Sequence, residues 1–275
     1  MMFTTVLRLL YEKWCTKHSA VQYTGCYDSW DSAREKSTGY GTDNILNKVE
    51  ESILIVKEGK ANYERDGVLF YEKKYNYPLM LHICGIAKEY NNIFNVIDWG
   101  GSLGSTYFQN RKLIEDLNII YQWTVVEQEH FVTFGKAKLC DEHLNFEYNL
   151  QTVKNIEKYN CILLGSVLQY IDFADELLEQ VVKLEIPYII IERTPFGNKD
   201  YYVIEKVRQP IYDATYPLHV IDQKNLFTFL NDHGYDVLDE WKSDIDSPIR
   251  INSNVIEYMS YVFKRGEKNK DYGIS

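Results

Sequence analysis

Residues 93–104 combine an apolar run, a carboxylate and closely spaced glycines. The run is followed by Asp98, and glycines stand at positions 100, 101 and 104. Because glycine has no Cβ, such a backbone can turn tightly and approach a ligand, and a helix that begins there offers unpaired N–H groups. A tight turn without any ligand would use the same residues, so the segment alone leaves both interpretations open.

A second carboxylate favours ligand binding. Glu127 ends the next strand-like run, 26 residues after Gly101. A carboxylate there can accept hydrogen bonds from both hydroxyls of a ribose. Asp98 would repel a pyrophosphate, and the glycines do not fit the pattern G-x-G-x-x-G, so an NAD-dependent enzyme is disfavoured. The aspartate suits a ligand that carries an amino group and a sulfonium, and S-adenosylmethionine has both.

Strands that alternate with helices from residue 93 onwards would position these groups. The predicted strands are IFNVIDW, YQWTVVE, LNFEYNL, the start of YNCILLGSVLQY, IPYIIIER, YDVLDEW and VIEYMSYVFKR. The predicted helices are TYFQNRKLIEDL, HFVTFGKAKL, DFADELLEQVVKL with Asp172 as its N-cap, and QKNLFTFLNDHG closed by Gly234. This alternation predicts a doubly wound α/β sheet whose strand ends meet at one edge, where ligands bind.

Residues 1–92 differ from the rest because helical periodicity dominates them. An apolar stripe at Ile45, Val49, Ile53 and Val56 predicts an amphipathic helix capped by Asn44 or Asp43. A second stripe follows Pro78, and the segment NYERDGVLFYEKKYNYP between them is predicted to be a loop. We therefore expect a helical arm or lid over 1–92, a core domain over 93–265 and a frayed tail over 266–275.

Composition and charge exclude several classes of protein. The chain has 275 residues, of which 45% are apolar and 25% charged, so it can bury a core and is neither disordered nor collagen-like. Forty acidic and thirty basic side chains give a net charge of -10, which disfavours a broad nucleic-acid surface. Most of the 23 tyrosines are expected to reflect an AT-rich genome.

Cysteine spacing and the lack of long apolar runs bear on the cellular compartment. The five cysteines stand at positions 15, 26, 84, 140 and 161. None of these spacings is typical of a metal or redox site. The N-terminus lacks the apolar run of a signal peptide, and no apolar run reaches the roughly 18 residues that a membrane span needs. We expect a cytoplasmic protein with reduced thiols, no metal and no membrane span.

Four segments resemble motifs I, II, IV and V of class I S-adenosylmethionine-dependent methyltransferases. They are DWGGSLGSTYFQN, VVEQ, CILLGSVLQYID and IIIERTPF. Residues 25–264 also resemble the LIC12133-like family of bacterial methyltransferases, through GCYDSWDSAREKSTGYGTDNIL, ANYERDGVLFYE, PIYDATYPLHVID and GYDVLDEW. The resemblance implies a Rossmann-like class I methyltransferase fold, with a mostly parallel seven-stranded sheet, helices on both faces and an N-terminal helical arm or lid.

The resemblance also implies which residues hold S-adenosylmethionine, with S-adenosylhomocysteine as the product. They are Asp98, Gly100, Gly101, Ser102, Gly104, Glu127, Gln128, Phe146, Ser166, Val167 and Gln169. Asn145 is the alternative to Phe146 as the adenine contact. The segment GSVLQY replaces the Asn-Pro-Pro-Tyr motif of many methyltransferases, which argues against methylation of base amino groups and leaves hydroxyl transfer open.

Methyl transfer is an in-line displacement, and a neutral hydroxyl acceptor must also lose its proton. His219 follows a predicted loop long enough to fold over the site, and imidazole is suited to act as a base. A structural role for His219 is an equal alternative, and Asp213 or Glu192 could replace it as the base. His130 is expected at a helix terminus or beside the adenine rather than in catalysis.

An anionic acceptor would need cations instead of a base. Arg193 could clamp an oxyanion or pair with Glu192 or Asp98, and Arg65 or Lys206 could contribute. The Arg65-Asp66 pair could cover the pocket as a lid or bridge the arm to the core.

Aromatic side chains could hold the acceptor, because sugars stack on such rings. The tyrosines expected near the pocket are Tyr63, Tyr170, Tyr201, Tyr202, Tyr212 and Tyr216, with Tyr170 and Tyr216 preferred. The predicted catalytic residues are therefore His219, Arg193 and Tyr170, and the predicted substrate contacts are Tyr63, Arg65 and Tyr216.

The sequence thus predicts an S-adenosylmethionine-dependent O-methyltransferase acting on a small acceptor. Because members of the resembled family accompany enzymes of surface-polysaccharide assembly, the expected acceptor is a sugar or a phosphate-type (phosphoramidate) substituent of a nucleotide-linked precursor of capsule or lipopolysaccharide. The alternative is a catalytically inactive S-adenosylmethionine-binding or scaffold protein in a glycan-assembly complex.

Overall fold

The computed structural model describes residues 21–38, 43–208, 214–251 and 254–266, with the backbone alone at 43–45. The helices are α1 (Trp30–Arg34), α2 (Asp43–Lys57), α3 (Tyr77–Glu89), α4 (Ser105–Asp116), α5 (Glu129–Lys138), α6 (Ala174–Lys183) and α7 (Gln223–Asp232). The first strands are β1 (Val21–Tyr27), β2 (Tyr63–Arg65), β3 (Val68–Phe70), β4 (Ile93–Trp99), β5 (Ile120–Val126), β6 (Leu144–Glu147) and β7 (Cys161–Gly165). The remaining strands are β8 (Tyr188–Gly197), β9 (Tyr201–Val207), β10 (Ala214–Asp222), β11 (Tyr235–Lys242), β12 (Ile249–Ile251), β13 (Asn254–Ile256) and β14 (Tyr258–Arg265).

A mostly parallel arrangement forms the centre of the main sheet. The strands β6, β5, β4, β7 and β8 are neighbours in that order, and each pair is parallel. β14 adds to β8 in the antiparallel direction, and β11 adds to β14 in the same way. Ile189, Ile190 and Ile191 of β8 have no exposed surface, as expected for a central strand covered on both faces.

The two faces of the sheet are covered by different helices. Successive residues of a strand point to opposite faces, so Val96 of β4 belongs to one buried cluster and Ile97 to another. Side chains of α2 to α5 pack in the first cluster, and those of α6 and α7 pack in the second. The Rossmann-like layering that the sequence predicts is therefore present in the described part of the chain.

Three further strands extend this sheet, which has ten strands in the described part of the chain rather than the predicted seven. β1, β9 and β10 form an antiparallel group, and β10 joins the end of β8 in parallel at Phe196 and Gly197. The stretch before His219, predicted to be a loop that folds over the site, thus contains β9 and the first part of β10. Pro217 within β10 and Gly25 in β1, whose φ is 75°, weaken the strand pattern of the two segments in the sequence.

The predicted arm contains strands as well as helices. Val49, Ile53 and Val56 of α2 are buried in the same cluster as Phe94 of the sheet, and α3 begins at the predicted place, capped by Asn76. The segment predicted as a loop between the two helices contains the hairpin of β2 and β3. Its turn consists of Asp66 and Gly67, both with positive φ, the combination that Asp-Gly favours in a two-residue hairpin.

Several smaller predictions can also be compared with the structure. α6 has Phe173 rather than Asp172 as its N-cap, and the Asp172 carboxylate instead lies 3.5 Å from the Arg34 guanidinium. Gly234 closes α7 with a φ of 83°, as predicted. The caps proposed at Asp43 and Asn44, the side chain of Ile45, residues 1–20 and the tail beyond 266 lie outside the described residues.

None of the helices in the described ranges is long and apolar enough to span a membrane. Within the same ranges, no group of three or more His, Cys, Asp or Glu side chains is arranged to hold a metal ion.

A glycine substitution in α5 tests the packing of this helix against the sheet, and a glycine in α3 serves as its control. A Cβ on Gly135 would lie 2.6 Å from the Phe146 ring, so Gly135→Ala should lower the free energy of unfolding by about 1–3 kcal/mol. Gly85 in α3 meets no described atom within 4 Å, so Gly85→Ala should raise it by about 0.5–1 kcal/mol. Chemical denaturation of both variants measures these changes, and a shift of the same sign in the two would contradict the packing.

Candidate functional site

A cavity of about 880 Å³ lies at the carboxyl ends of the parallel strands. The loops after β4, β5 and β7, together with Glu192 and Arg193 within β8, line one side of it, and β1, β9, β10 and the β2–β3 hairpin line the other. Ligand pockets commonly have volumes of about 300–1,000 Å³ and lie outside the carboxyl ends of parallel strands. The cavity is therefore large enough for a nucleoside-sized cofactor together with a small acceptor.

The loop after β4 has no room for a side chain at Gly100 or Gly101. A Cβ on Gly100 would lie 2.4 Å from Val167 Cγ2, and one on Gly101 would lie 2.5 Å from Asp98 Cγ. Ser102 and Gly104 both have positive φ, and no side chain caps the N-terminus of α4 that follows. The loop thus brings bare backbone to the cavity, as a close approach to a ligand requires.

Two carboxylates stand at adjacent strand ends beside this loop. Asp98 is 1% exposed and accepts a hydrogen bond of 2.9 Å from Trp123 Nε1. Burial raises the pKa of Asp98 to about 7, although the Trp123 hydrogen bond acts in the opposite direction. The Glu127 carboxylate accepts from the backbone N–H of Gln128 at 2.7 Å, and burial raises its pKa as well. Both side chains line the cavity.

The predicted adenine contact is corrected by the structure. Phe146 is 1% exposed and packs beneath Gly135 of α5, outside the cavity, and Asn145 beside it points to solvent. Phe131 of α5 lines the cavity instead, next to Gln128. The signal in the sequence was an aromatic residue four positions after Glu127, in the first turn of the helix.

The end of β7 contributes only part of what the sequence predicts. Ser166 and Val167 line the cavity, and Ser166 has a positive φ of 56°. Gln169 has no exposed surface, and its amide donates hydrogen bonds of 3.0 Å to Ser166 Oγ and to the backbone oxygen of Arg193. Gln169 therefore supports the two strand ends and does not reach a ligand.

His219 does not lie at the cavity, so the structure removes the basis for a catalytic base at this position. Its Nε2 lies 2.7 Å from Asp200 Oδ1, and its ring stacks on Tyr202 with 4.7 Å between centroids. Tyr216, three residues earlier on β10, does line the cavity. Residues three apart on a strand point to opposite faces, which explains why the histidine points away.

Arg193 lines the cavity and pairs with a carboxylate that the sequence analysis did not identify. Its Nε and Nη2 donate to the two carboxylate oxygens of Asp246, both at 2.9 Å, rather than pairing with Glu192 or Asp98. The backbone of Arg193 has a φ of 53°, a conformation that non-glycine residues adopt infrequently. The Arg193 guanidinium, which was predicted to bind an oxyanion, is thus paired with the Asp246 carboxylate.

Of the predicted substrate contacts in the arm, one lines the cavity and one does not. Tyr63 is 4% exposed and stacks on Phe70 at 4.6 Å, outside the cavity. Arg65 lines the cavity, with its guanidinium near the rings of Tyr63 and Phe70 at about 6 Å. Arg65 makes no ion pair with any residue that the structure describes.

Three further buried carboxyls lie at the cavity, and two of them, Glu64 and Glu205, were missed by the sequence analysis. Glu64 of the hairpin accepts from the Gly67 N–H at 2.9 Å and from the Ser105 hydroxyl, and Glu192 accepts from the Asn76 amide. Glu205 of β9 accepts from tyrosine hydroxyls. Burial raises the pKa of all three, and those of Glu64 and Glu205 reach about 7. No local sequence pattern marks Glu64 or Glu205 as a site residue, because only folding brings the hairpin and β9 to the same cavity.

Of the remaining candidates, only Tyr170 lies at the cavity among the described residues. His130, Lys206, Tyr201 and Tyr202 do not line the cavity. Asp213 and Tyr212 lie outside the described residues. Tyr170 lines the cavity and donates to Glu205.

No protein-family model and no curated protein matches the chain. Among solved structures, the chain is similar to a SAM-dependent methyltransferase from Methanosarcina mazei, with a TM-score of 0.48 and 11% identity over 70% of this chain and 99% of that one. It is also similar to an amino pentose methyltransferase from Micromonospora echinaspora with bound SAM, with a TM-score of 0.47 and 9% identity over 70% and 92% of the two chains. A third similar structure is magnesium protoporphyrin IX methyltransferase from Synechocystis with bound SAH, with a TM-score of 0.43 and 12% identity over 69% and 82%. Identities of this size do not bear on the activity of this chain.

The buried carboxyls predict how stability depends on pH. Glu64, Asp98 and Glu205 have pKa values raised from 4.5 or 3.8 to about 7, so the folded chain holds more protons than the unfolded chain between these limits. The free energy of unfolding should therefore fall as pH rises from about 5 to 7 and change little above that from these groups. Calorimetric melting of the ligand-free chain measures the dependence.

Glu205→Gln should weaken this pH dependence, because an amide does not titrate, whereas Glu176→Gln at an exposed position should not. The same pH dependence in Glu205→Gln as in the other two proteins, or a stability that rises between pH 5 and 7, would contradict the assignment of the raised pKa values.

The pair of Arg193 and Asp246 predicts a second change in stability. Their side chains are only 22% and 17% exposed, so Asp246→Asn should lower the free energy of unfolding by about 3 kcal/mol by leaving the guanidinium without a carboxylate. Asp244→Asn is the matched control, because Asp244 is 75% exposed and its pair with Lys74 should contribute less than about 1 kcal/mol. Equal losses in urea denaturation would show that the buried pair is not special.

Proposed function

We propose that the chain is an S-adenosylmethionine-dependent methyltransferase that transfers a methyl group to an oxygen of a small acceptor. The observation that carries the proposal is the glycine loop after β4, which lies beside Asp98 and Glu127 at the ends of neighbouring strands. No Cβ fits at Gly100 or Gly101, so bare backbone faces the cavity between these carboxylates. These two carboxylates and the exposed backbone fit a ligand with a ribose, a positively charged amino acid part and no pyrophosphate.

The chain's own residues bind and orient this cofactor, which when bound supplies an electrophilic methyl group on a sulfonium. Glu127 accepts the hydroxyls of the ribose, and Asp98 faces the amino group, whose charge favours the ionised form of the buried carboxyl. Phe131 offers an aromatic face for the adenine beside Gln128. Ser166 and Val167 border the methyl donor, because Val167 directly contacts the glycine loop.

The other half of the cavity receives the acceptor. The β2–β3 hairpin and the strands β9 and β10 enclose it and shield the transferred methyl group from water. Glu64 in this hairpin takes up the proton of a neutral hydroxyl, because its pKa of about 7 suits a base near neutral pH.

The guanidinium of Arg65, which has no ion pair among the described residues, supports an acceptor with an anionic group. The acceptor is then a sugar or a phosphate-type substituent, such as a phosphoramidate, of a nucleotide-linked precursor. The anionic group is the phosphate-type substituent itself or a phosphate of the linked nucleotide. The resemblance of the sequence to the LIC12133-like family supports a place in capsule or lipopolysaccharide biosynthesis.

Calorimetric titration with S-adenosylhomocysteine and NAD tests the cofactor. The chain should bind S-adenosylhomocysteine and not NAD, and Glu127→Ala should weaken that binding by about 1.5–3 kcal/mol through the loss of charged hydrogen bonds. Glu129→Ala, an exposed neighbour in the first turn of α5, is the matched control and should leave the affinity unchanged. Absence of binding by the intact chain, or equal affinities of the two variants, would refute the proposed cofactor site.

A further inference from the structure

A carboxyl group on the acceptor side of the cavity is enclosed by tyrosines. Glu205 is 5% exposed and lines the cavity. Its Oε2 accepts from the Tyr170 hydroxyl at 2.9 Å, and its Oε1 accepts from the Tyr216 hydroxyl at 3.3 Å. A carboxylate has about four lone-pair sites, so two tyrosine donors leave it with acceptor capacity.

Two more tyrosines complete this wall, which we call the tyrosine wall (Tyr23, Tyr170, Tyr216 and Tyr258 around Glu205). Tyr170 and Tyr216 meet edge to face with 5.5 Å between centroids, and Tyr23 and Tyr258 lie 6.4 Å apart. The Tyr23 and Tyr258 hydroxyls share one hydrogen bond of 2.9 Å. All four side chains line the cavity, so phenol rings as well as a carboxylate border the same space.

The charges around Glu205 do not neutralise it. The charged groups with the strongest effect on it are the carboxylates of Asp66 and Asp246, both of which oppose its ionisation. The nearby guanidinium of Arg193 is held by Asp246 in a two-hydrogen-bond pair. Glu205 forms no ion pair with any residue that the structure describes, so a buried carboxylate faces the cavity without a cation.

An ammonium group satisfies both features of the wall. It donates up to three hydrogen bonds, which the remaining lone pairs of Glu205 can accept. It is also attracted by the faces of aromatic rings, and the attraction is strongest where water is excluded. A neutral hydroxyl would leave the charge of Glu205 uncompensated, and an anionic group placed against Glu205 itself would be repelled by it.

The tyrosine wall lies next to the proposed methyl donor. Tyr170 belongs to the short helical turn Leu168–Tyr170, which begins one residue after Val167 at the end of β7. We propose that the tyrosine wall and Glu205 bind an ammonium group of the methyl acceptor, which orients a neighbouring oxygen towards the donor. The inference rests on the proposed function and narrows its substrate class to small acceptors, such as amino sugars, that carry a free amine.

Ligand-observed NMR titration tests this with glucosamine, glucose and N-acetylglucosamine as probes. The three differ in whether an ammonium, a hydroxyl or a neutral amide stands at one carbon. At about pH 7 the full chain, saturated with S-adenosylhomocysteine, should bind glucosamine about tenfold or more tightly than either of the others. Glu205→Gln should abolish this preference, and Glu176→Gln, which alters an exposed carboxyl of the same type, should keep it.

Two controls make the outcomes decisive. Binding of S-adenosylhomocysteine to Glu205→Gln shows that the variant is folded, and the sugar titrations are repeated on the ligand-free chain. If the intact chain failed to bind S-adenosylhomocysteine, the result would count against the proposed function alone, because the sugar titrations on the ligand-free chain still test the ammonium site. Equal affinity for the three sugars, including no binding of any, or a preference that survives in Glu205→Gln, would overturn the ammonium site.

Discussion

The close approach of the loop after β4 to its surroundings constrains the rest of the site. Asp98 fills the space above Gly101, and Val167 fills the space above Gly100, so neither glycine can carry a side chain. This contact ties the ends of β4 and β7 together and leaves backbone groups, rather than side chains, facing the cavity. Burial of Asp98 follows from the same packing, and burial raises its pKa. The geometry of the site therefore depends on the absence of a Cβ at both Gly100 and Gly101.

The acceptor side is built from parts of the chain that are distant in sequence. The β2–β3 hairpin comes from the predicted arm, β1 precedes it, and β9 and β10 follow the last central parallel strand. These parts bring Glu64, Arg65 and Glu205 to one cavity, where burial keeps two of the three groups poised near neutral pH. The cofactor and acceptor halves meet at the end of β7, where Val167 contacts the glycine loop and Tyr170 contacts Glu205.

More of the residues predicted for the cofactor than of those predicted for catalysis and the acceptor line the cavity, for a physical reason. Asp98 and Glu127 end apolar runs, and parallel strands bring such ends to one edge whatever else the chain does. The interpretation of His219 as a base failed because the pairing of β9 with β10, which turns its ring towards Tyr202, is not visible in local periodicity. Tyr170 and Tyr216 were predicted at the cavity, whereas Glu205, Tyr23 and Tyr258 were missed for the same reason as His219 was misplaced. Their hydrogen bonds join β9 to β10 and β1 to β14, which are distant in the sequence. Phe146 was misplaced because alternation along a strand does not say which face the cavity uses.

A crystal structure of the chain with S-adenosylhomocysteine tests the central claim most directly. The account predicts density for the ligand along the loop of Gly100 and Gly101, with the ribose hydroxyls within hydrogen-bond distance of Glu127 and the amino group on the side of Asp98. The thioether sulfur should then face the half of the cavity that holds Glu205. A ligand bound elsewhere, or a ribose turned away from Glu127, would contradict the account.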